Sequence, residues 1–272
     1  MDTTHTTRGS VKPKVLDRFV ETLLRPEDVE TRYEIQDTIG KGGFGVVSKV
    51  RELATGIVYV MKKMPFDIQF KSSENIQREI HNIISMKSNR NIVQWHDIFR
   101  THDNKLAIIM DLCDMDLGTF LKCKENRTFD ILFDVAQQIT AGIAFLHTHD
   151  PPFIHRDIKP QNILIKTDRE TKQISVKIAD CGISNSSGFN HNVDGATKSQ
   201  LIQIVKTITS TGGTLSFLAP EFFAALDGHG LTDGRFRVDA SFDIFALGLV
   251  FAFMFCFETG GYGKHSFLLQ AL

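Results

Sequence analysis

Four glycines fall within six residues at Gly40-Lys41-Gly42-Gly43-Phe44-Gly45, the spacing G-x-G-x-x-G. Lacking Cβ atoms, such positions let backbone N–H groups approach phosphate oxygens closely. Dinucleotide-binding turns and glycine flaps between strands share this spacing, and the chain that follows separates them. Val46 to Glu52 alternates like a strand, Thr55-Gly56 reads as a turn, and Ile57 to Met64 reads as a second strand. A helix should open there in the dinucleotide fold, so a flap between strands is the better reading. No G-K-[ST] follows the last glycine, which excludes a Walker-type loop. Lys62 lies near the end of the second strand, and its neighbour Lys63 must point to the opposite face. A helical stretch from Ser73 to Met86 then places Glu79 on one face with Ile76 and Ile83. A carboxylate buried on an apolar face needs a cation. Paired with Glu79, Lys62 would be held toward the α and β phosphates of a nucleotide; unpaired, it is an ordinary strand lysine.

His155-Arg156-Asp157-Ile158-Lys159-Pro160-Gln161-Asn162 follows the break at Pro151-Pro152. This segment resembles the catalytic loop H-R-D-x-K-P-x-N of the serine/threonine protein kinases. Asp180-Cys181-Gly182 is similar to the D-F-G motif, Ala219-Pro220-Glu221 matches A-P-E, and Asp243 resembles the aspartate of the next helix. The resemblance covers residues 40 to 221 with the motifs in order, and it implies an α+β bilobal fold with a small antiparallel-sheet lobe and a mainly helical lobe. It also implies roles. Asp157 would take or orient the proton of the attacking hydroxyl, Lys159 would stabilise the transferred phosphoryl group, and Lys62 with Glu79 would hold the nucleotide. Asn162 and Asp180 offer hard oxygens to Mg²⁺. The ATP site would comprise Gly40, Lys41, Gly42, Gly43, Phe44, Gly45, Val47 and Lys62, with Met110, Asp111 and Cys113 as gatekeeper and hinge and Asp116 near the ribose. Lys159, two residues after Asp157, points to protein Ser/Thr hydroxyls as acceptors. Arg156 would meet a phosphorylated activation segment, with Thr207, Thr209, Ser210 and Thr211 as candidate acceptors and Thr214 in the substrate-positioning loop.

Two departures bear on activity. Cys181 replaces the usual phenylalanine with a small hydrophobe. The family's large lobe normally runs well beyond the helix of Asp243 and supplies an arginine for the A-P-E glutamate, whereas this sequence ends at Leu272. The expectation is a C-terminally incomplete lobe, Glu221 without that partner, and an apolar helix at 244–257 that a partner chain could cover. The competing functional reading is a non-catalytic nucleotide-binding or scaffold module, or an inactive fragment. A narrower likeness links LCDMDLGTFL, FDILFDVAQQITAGIAFLH and GKHSF to the kinase part of the endoplasmic-reticulum unfolded-protein sensor kinase-ribonuclease.

The elements that must position these residues divide the chain in three. Residues 1–30 are a polar tail followed by a short amphipathic helix carrying Val15, Leu16, Phe19, Val20, Leu23 and Leu24. Residues 31–113 form the small nucleotide-binding lobe, ending in the hinge. Residues 114–272 form the helical lobe, whose activation segment occupies 180–221. Its first helix shows one apolar face, Leu132, Val135, Ile139, Ile143 and Leu146, and NILIK with SVKIAD reads as a hairpin. The uncharged run Ile244 to Phe257 reads as a buried helix, too short at about 1.5 Å per residue to cross a membrane.

Composition excludes other classes. With 31 basic and 32 acidic residues the net charge is −1, which argues against a chain built to coat nucleic acid or acidic membrane. Hydrophobic residues at 42% and charged ones at 23% are ordinary for a globular domain and exclude disorder. Cys113, Cys123, Cys181 and Cys256 lack metal-ligand spacing. Free thiols and a polar N-terminus without a signal-peptide pattern set the expectation of a cytoplasmic protein.

Overall fold

A computed structural model describes residues 26–42, 45–65, 89–150, 152–180, 196–197, 199, 201–202, 205, 215–229, 231, 235–236 and 239–256. The expected helices at 15–24 and 73–86, with Glu79, lie outside the described residues. So do Gly43, Phe44, Cys181, Gly182, Thr207, Thr209, Ser210, Thr211, Thr214 and the GKHSF segment. The chain divides into two compact units, Met1–Gly40, Gly45–Ser88 and Trp95–Met110 in the first, and Lys41–Phe44, Asn89–Gln94 and Asp111–Leu272 in the second.

The first unit is built on five strands: β1 (Tyr33–Gly42), β2 (Gly45–Glu52), β3 (Val58–Pro65), β4 (Trp95–Arg100) and β5 (Lys105–Met110). They order β1-β2-β3-β5-β4, and the pairings of β2 with β3, β3 with β5 and β4 with β5 are all antiparallel. Val46, Val47 and Val50 in β2 and Val58, Tyr59 and Val60 in β3 are β-branched or aromatic residues, which a pleated, half-buried surface favours. The β2–β3 turn closes through the Gly56 N–H on the Glu52 carbonyl at 2.8 Å, with Gly56 at φ +72°, a backbone conformation open to glycine at little cost. One face of the sheet buries Tyr33, Val50, Met61, Phe99, Ala107 and Ile109 together with Val29. Tyr33 meets Phe99 edge-on at 5.8 Å, the geometry that ring quadrupoles favour. Arg32 lies over the Phe99 ring and pairs with Asp97.

The second unit begins with β6 (Met115–Asp116), the single turn α1 (Leu117–Phe120) and the long helix α2 (Phe129–His147). Thr128 caps α2 by accepting the Ile131 N–H. Its buried face is Leu132, Val135, Ile139, Ile143 and Leu146, as the spacing predicts, with Gly142 added where the helix meets β8. Among the described residues α2 is the one helix long and apolar enough to cross a membrane. It carries Asp130, Asp134 and Gln137 on its exposed side and bonds to β8 through Gln138, so it serves as a packed element of this unit. β7 (Ile163–Thr167) and β8 (Ile174–Ile178) form the expected hairpin, and β6 adds to β7.

The remaining elements are β9 (Ala196–Thr197), α3 (Pro220–Leu226), β10 (Arg235–Phe236) and α4 (Ala240–Phe255). Phe222, Phe236 and Phe242 meet edge-on in a core with Leu201, Ala219 and Ala225. α4 extends the helical run read at 244–257 at its start. It starts at Ala240, ahead of the uncharged run, because the Asp239 carboxylate accepts the Ser241 N–H at 2.8 Å and caps it there. It is not the wholly buried helix of one reading but the partly uncovered helix of the other: Phe242, Asp243, Ala246, Leu247, Val250 and Met254 are buried, while Ile244 is 53% and Phe255 44% exposed. Phe257 lies outside the described residues.

Candidate active site

The catalytic-loop residues converge within the second unit. The Asp157 carboxylate accepts from the Lys159 ammonium on both oxygens, at 2.8 and 2.7 Å, and from the Asn162 amide nitrogen at 2.8 Å. A second amide hydrogen of Asn162 goes to the Asp157 carbonyl at 2.7 Å. Both of these partners can only accept, so the amide must turn its nitrogen toward them. Its own oxygen is left for an electrophile. Asp157 is 44% exposed at the side chain, while Lys159 is 15% exposed, so the carboxylate is held from beneath and open above. Pro160–Asn162 forms a tight turn that brings Asn162 back over Asp157.

The loop's backbone hangs on a fully buried carboxylate. Asp243 accepts the N–H groups of His155 and Arg156, each at 2.7 Å, and pairs with His147 Nε2 at 2.8 Å. Arg156 sits at φ +69°, a conformation that costs a non-glycine residue about 1–3 kcal/mol and persists only where its surroundings impose it. The bond from Arg156 N–H to Asp243 is that imposition. Burial also holds the Arg156 guanidinium below its ordinary pKa, opposed by the charge of Asp243.

Asp180 follows β8. The residue before it, Ala179, donates its N–H to the Asn162 carbonyl at 2.8 Å, and its carbonyl meets His155 Nε2 at 2.8 Å. Asp180 itself is half-buried at φ +63°. The two oxygen donors read from the sequence, Asn162 and Asp180, are therefore tied through Ala179, the residue before Asp180, whose N–H bonds to the Asn162 backbone carbonyl. The donor chemistry suits Mg²⁺: a carboxylate and an amide oxygen are hard ligands. Two such ligands are what an ion that keeps phosphates and waters in its shell takes from a protein.

The chain leaving β5 enters this unit at Asp111, whose N–H bonds to the Gln94 carbonyl at 2.9 Å and whose carboxylate pairs with Lys177 at 3.5 Å. Burial pushes the Cys113 thiol up to about 11, with the Asp111 charge adding to the shift. The next residue, Asp114, donates its N–H to the Ile165 carbonyl at 2.9 Å. Asp116 has a role that sequence reading missed: its carboxylate caps α1, accepting the Thr119 N–H at 2.9 Å and hydroxyl at 3.2 Å.

Gly40, Lys41 and Gly42 end β1 and Gly45 opens β2, so the glycine run does join two strands. Gly45 has φ +130°, and a Cβ there would collide with the Lys63 carbonyl. Only glycine fits. Val47 lies directly across from Lys62, and Lys62 across from Ile108 on the other side. Lys62 is 6% exposed, whereas Lys63, on the opposite face, reaches Asp103 at 3.3 Å. Met110 closes β5, opposite Val60.

A family model described as the protein kinase domain matches residues 33–266. The chain belongs to the protein kinase domain family. The mouse (Mus musculus) serine/threonine-protein kinase DCLK3 is 28% identical over 235 residues, covering 84% of this chain and 25% of the relative. The chain thus spans about a quarter of that relative's length. Within the kinase domain, what sequence reading missed are the groups that act on backbone. His155 and Ala179 carry no signature beyond their places in HRD and IAD, because a backbone bond can be made by many residue types, and His147 is joined to the Asp243 side chain across 96 residues of sequence.

Proposed function

We propose that this kinase domain is a protein serine/threonine kinase that transfers the γ-phosphate of Mg-ATP to a protein hydroxyl. The observation that carries the reading is the Asp157 carboxylate, fixed by Lys159 and Asn162 yet open on its outer side. In the reaction the acceptor oxygen attacks the γ-phosphorus, the bond to the β–γ bridging oxygen breaks, ADP leaves, and the hydroxyl proton passes to Asp157. Lys159, already beside that carboxylate, would share its charge with the transferred phosphoryl oxygens. Asn162 and Asp180 would hold Mg²⁺, which when bound neutralises phosphate charge. Lys62 and the Gly40–Gly45 flap would hold the phosphates, and backbone groups of Met110, Asp111 and Cys113 the adenine, with Asp116 by the ribose. The serine/threonine class is supported by Lys159 and by the class named for the mouse relative. We take the subfamily to be the kinase part of the unfolded-protein sensor on the segments quoted above.

The test is phosphotransfer from ATP to a serine/threonine peptide library, with nucleotide binding measured alongside. Asp157→Ala should lower the rate about 10²–10⁴-fold, the usual worth of a general base, with nucleotide affinity nearly unchanged. Equal rates in the two proteins would remove the catalytic reading and leave a nucleotide-binding module.

A further inference from the structure

β8 is the outer strand of the sheet β6-β7-β8, yet its free edge is satisfied almost as if a fourth strand lay beside it. The Ile174 carbonyl accepts from Gln138 Nε2 at 3.0 Å, and the Val176 N–H donates to Gln138 Oε1 at 2.9 Å. The Val176 carbonyl accepts from Asn91 Nδ2 at 3.0 Å. The Ile178 N–H donates to the Asn91 carbonyl at 2.8 Å, and the Ile178 carbonyl accepts from the Val93 N–H at 2.9 Å. Residues 174, 176 and 178 are the alternate positions whose polar groups face away from β7. Two side-chain amides and one short backbone bridge, Ile92 with Ile178, stand in for the missing strand. The amides are also bonded to each other, Asn91 Nδ2 to Gln138 Oε1 at 3.3 Å, and Gln138 Nε2 reaches Asp134 at 2.8 Å. Asn91 is 3% exposed, so its amide has no water to fall back on.

We propose that Gln138 and Asn91 are positioning residues for the metal-binding pair Asn162 and Asp180, through the register of β8. The inference rests on the functional reading above. Asp157 and Lys159 belong to the loop anchored on Asp243, whereas Asp180 is delivered by β8, with only Ala179 between. The spacing of the two metal oxygens therefore depends on where β8 stops along its own axis. Its inner edge is set by β7 and by the Ala179 bond to Asn162. On the outer edge, Gln138 and Asn91 fix the same strand from a helix and a loop that the catalytic loop does not touch through these bonds. Loss of the amide ladder lets the strand slip against Asn162 while leaving the Asp157–Lys159 pair in place. Metal dependence should suffer before turnover does.

Gln138→Met keeps side-chain length and helix propensity but removes both bonds to β8. Gln138→Glu keeps the acceptor for Val176 and loses the donor to Ile174. Thr140→Ala, whose hydroxyl among the described residues bonds to its own helix at Ala136, is the control. Two readouts are taken on the full chain: amide hydrogen exchange over residues 174–180 without nucleotide or metal, and the Mg²⁺ concentration that half-saturates binding of a fluorescent ATP analogue. Expected for Gln138→Met are faster exchange over 174–180 and an Mg²⁺ requirement raised about 10-fold, the usual scale for partners that orient metal ligands, with kcat at saturating Mg²⁺ falling much less. Gln138→Glu should fall between, and Thr140→Ala should match wild type. Unchanged exchange in Gln138→Met overturns the ladder, and faster exchange with an unchanged Mg²⁺ requirement overturns the positioning role. Wild-type nucleotide binding that ignores Mg²⁺ overturns the functional reading itself, and this inference with it.

Discussion

Asp243→Ala removes a carboxylate that no solvent reaches and on which two successive N–H groups of the catalytic loop depend, those of His155 and Arg156 at 2.7 Å each. An alanine leaves both donors buried without a partner, and each such orphan costs about 1–3 kcal/mol. The sum is roughly 2–6 kcal/mol before any relaxation, against a total folding stability of about 5–15 kcal/mol for a typical domain. Arg156, at φ +69°, also loses the contact that keeps it there and can return to an ordinary conformation, moving the adjacent Asp157. A loss of about 3 kcal/mol corresponds to a melting temperature roughly 6–12 °C lower for a chain of this size. The assay is thermal unfolding followed by near-ultraviolet circular dichroism, with phosphotransfer measured well below the transition. Both stability and rate should fall, and Asp243→Asn, which keeps one acceptor oxygen, should fall less. A melting temperature within about 2 °C of wild type in the alanine variant would refute the claim that this carboxylate holds the loop.

Two further outcomes follow from packing and burial. Gly142→Ala should destabilise by about 1–2 kcal/mol in urea titration, although alanine is the better helix former, because its Cβ would press within 2.6 Å of the Ile178 methyl and 3.2 Å of the Asn91 carbonyl. A stabilised variant would show that this helix–strand contact is loose. Cys113, pushed up to about 11 by burial, holds roughly one thiolate per thousand molecules at pH 8, so iodoacetamide should label it slowly there and faster as pH rises toward 11. Labelling at pH 8 as fast as glutathione, read by peptide mass, would contradict that burial.

Strand and helix identities in both units were legible because their periods are local. Alternation in Val46 to Lys63 marks β2 and β3, and the spacing of Leu132 through Leu146 marks the buried face of α2. The 155–162 loop was legible for a different reason: its residue types at fixed spacing resemble the protein kinase motif, and Asp157, Lys159 and Asn162 of that motif meet in the fold. Asp239 as a helix cap was equally visible in principle, but an aspartate before an uncharged run gives no sign of which residue starts the helix until its Ser241 bond is seen.

By itself, then, the sequence determined the periodic elements, the order of the motifs and the candidate side chains for chemistry, since each of these is specified by residue type at short range. Tertiary structure alone decided what holds them in register. Asp243 lies 86 residues beyond Asp157 in the chain and Asn91 lies 85 residues before Val176, and their bonds run to backbone groups, which every residue presents alike. A backbone N–H has no sequence signature, so only folding reveals which carboxylate or amide answers it.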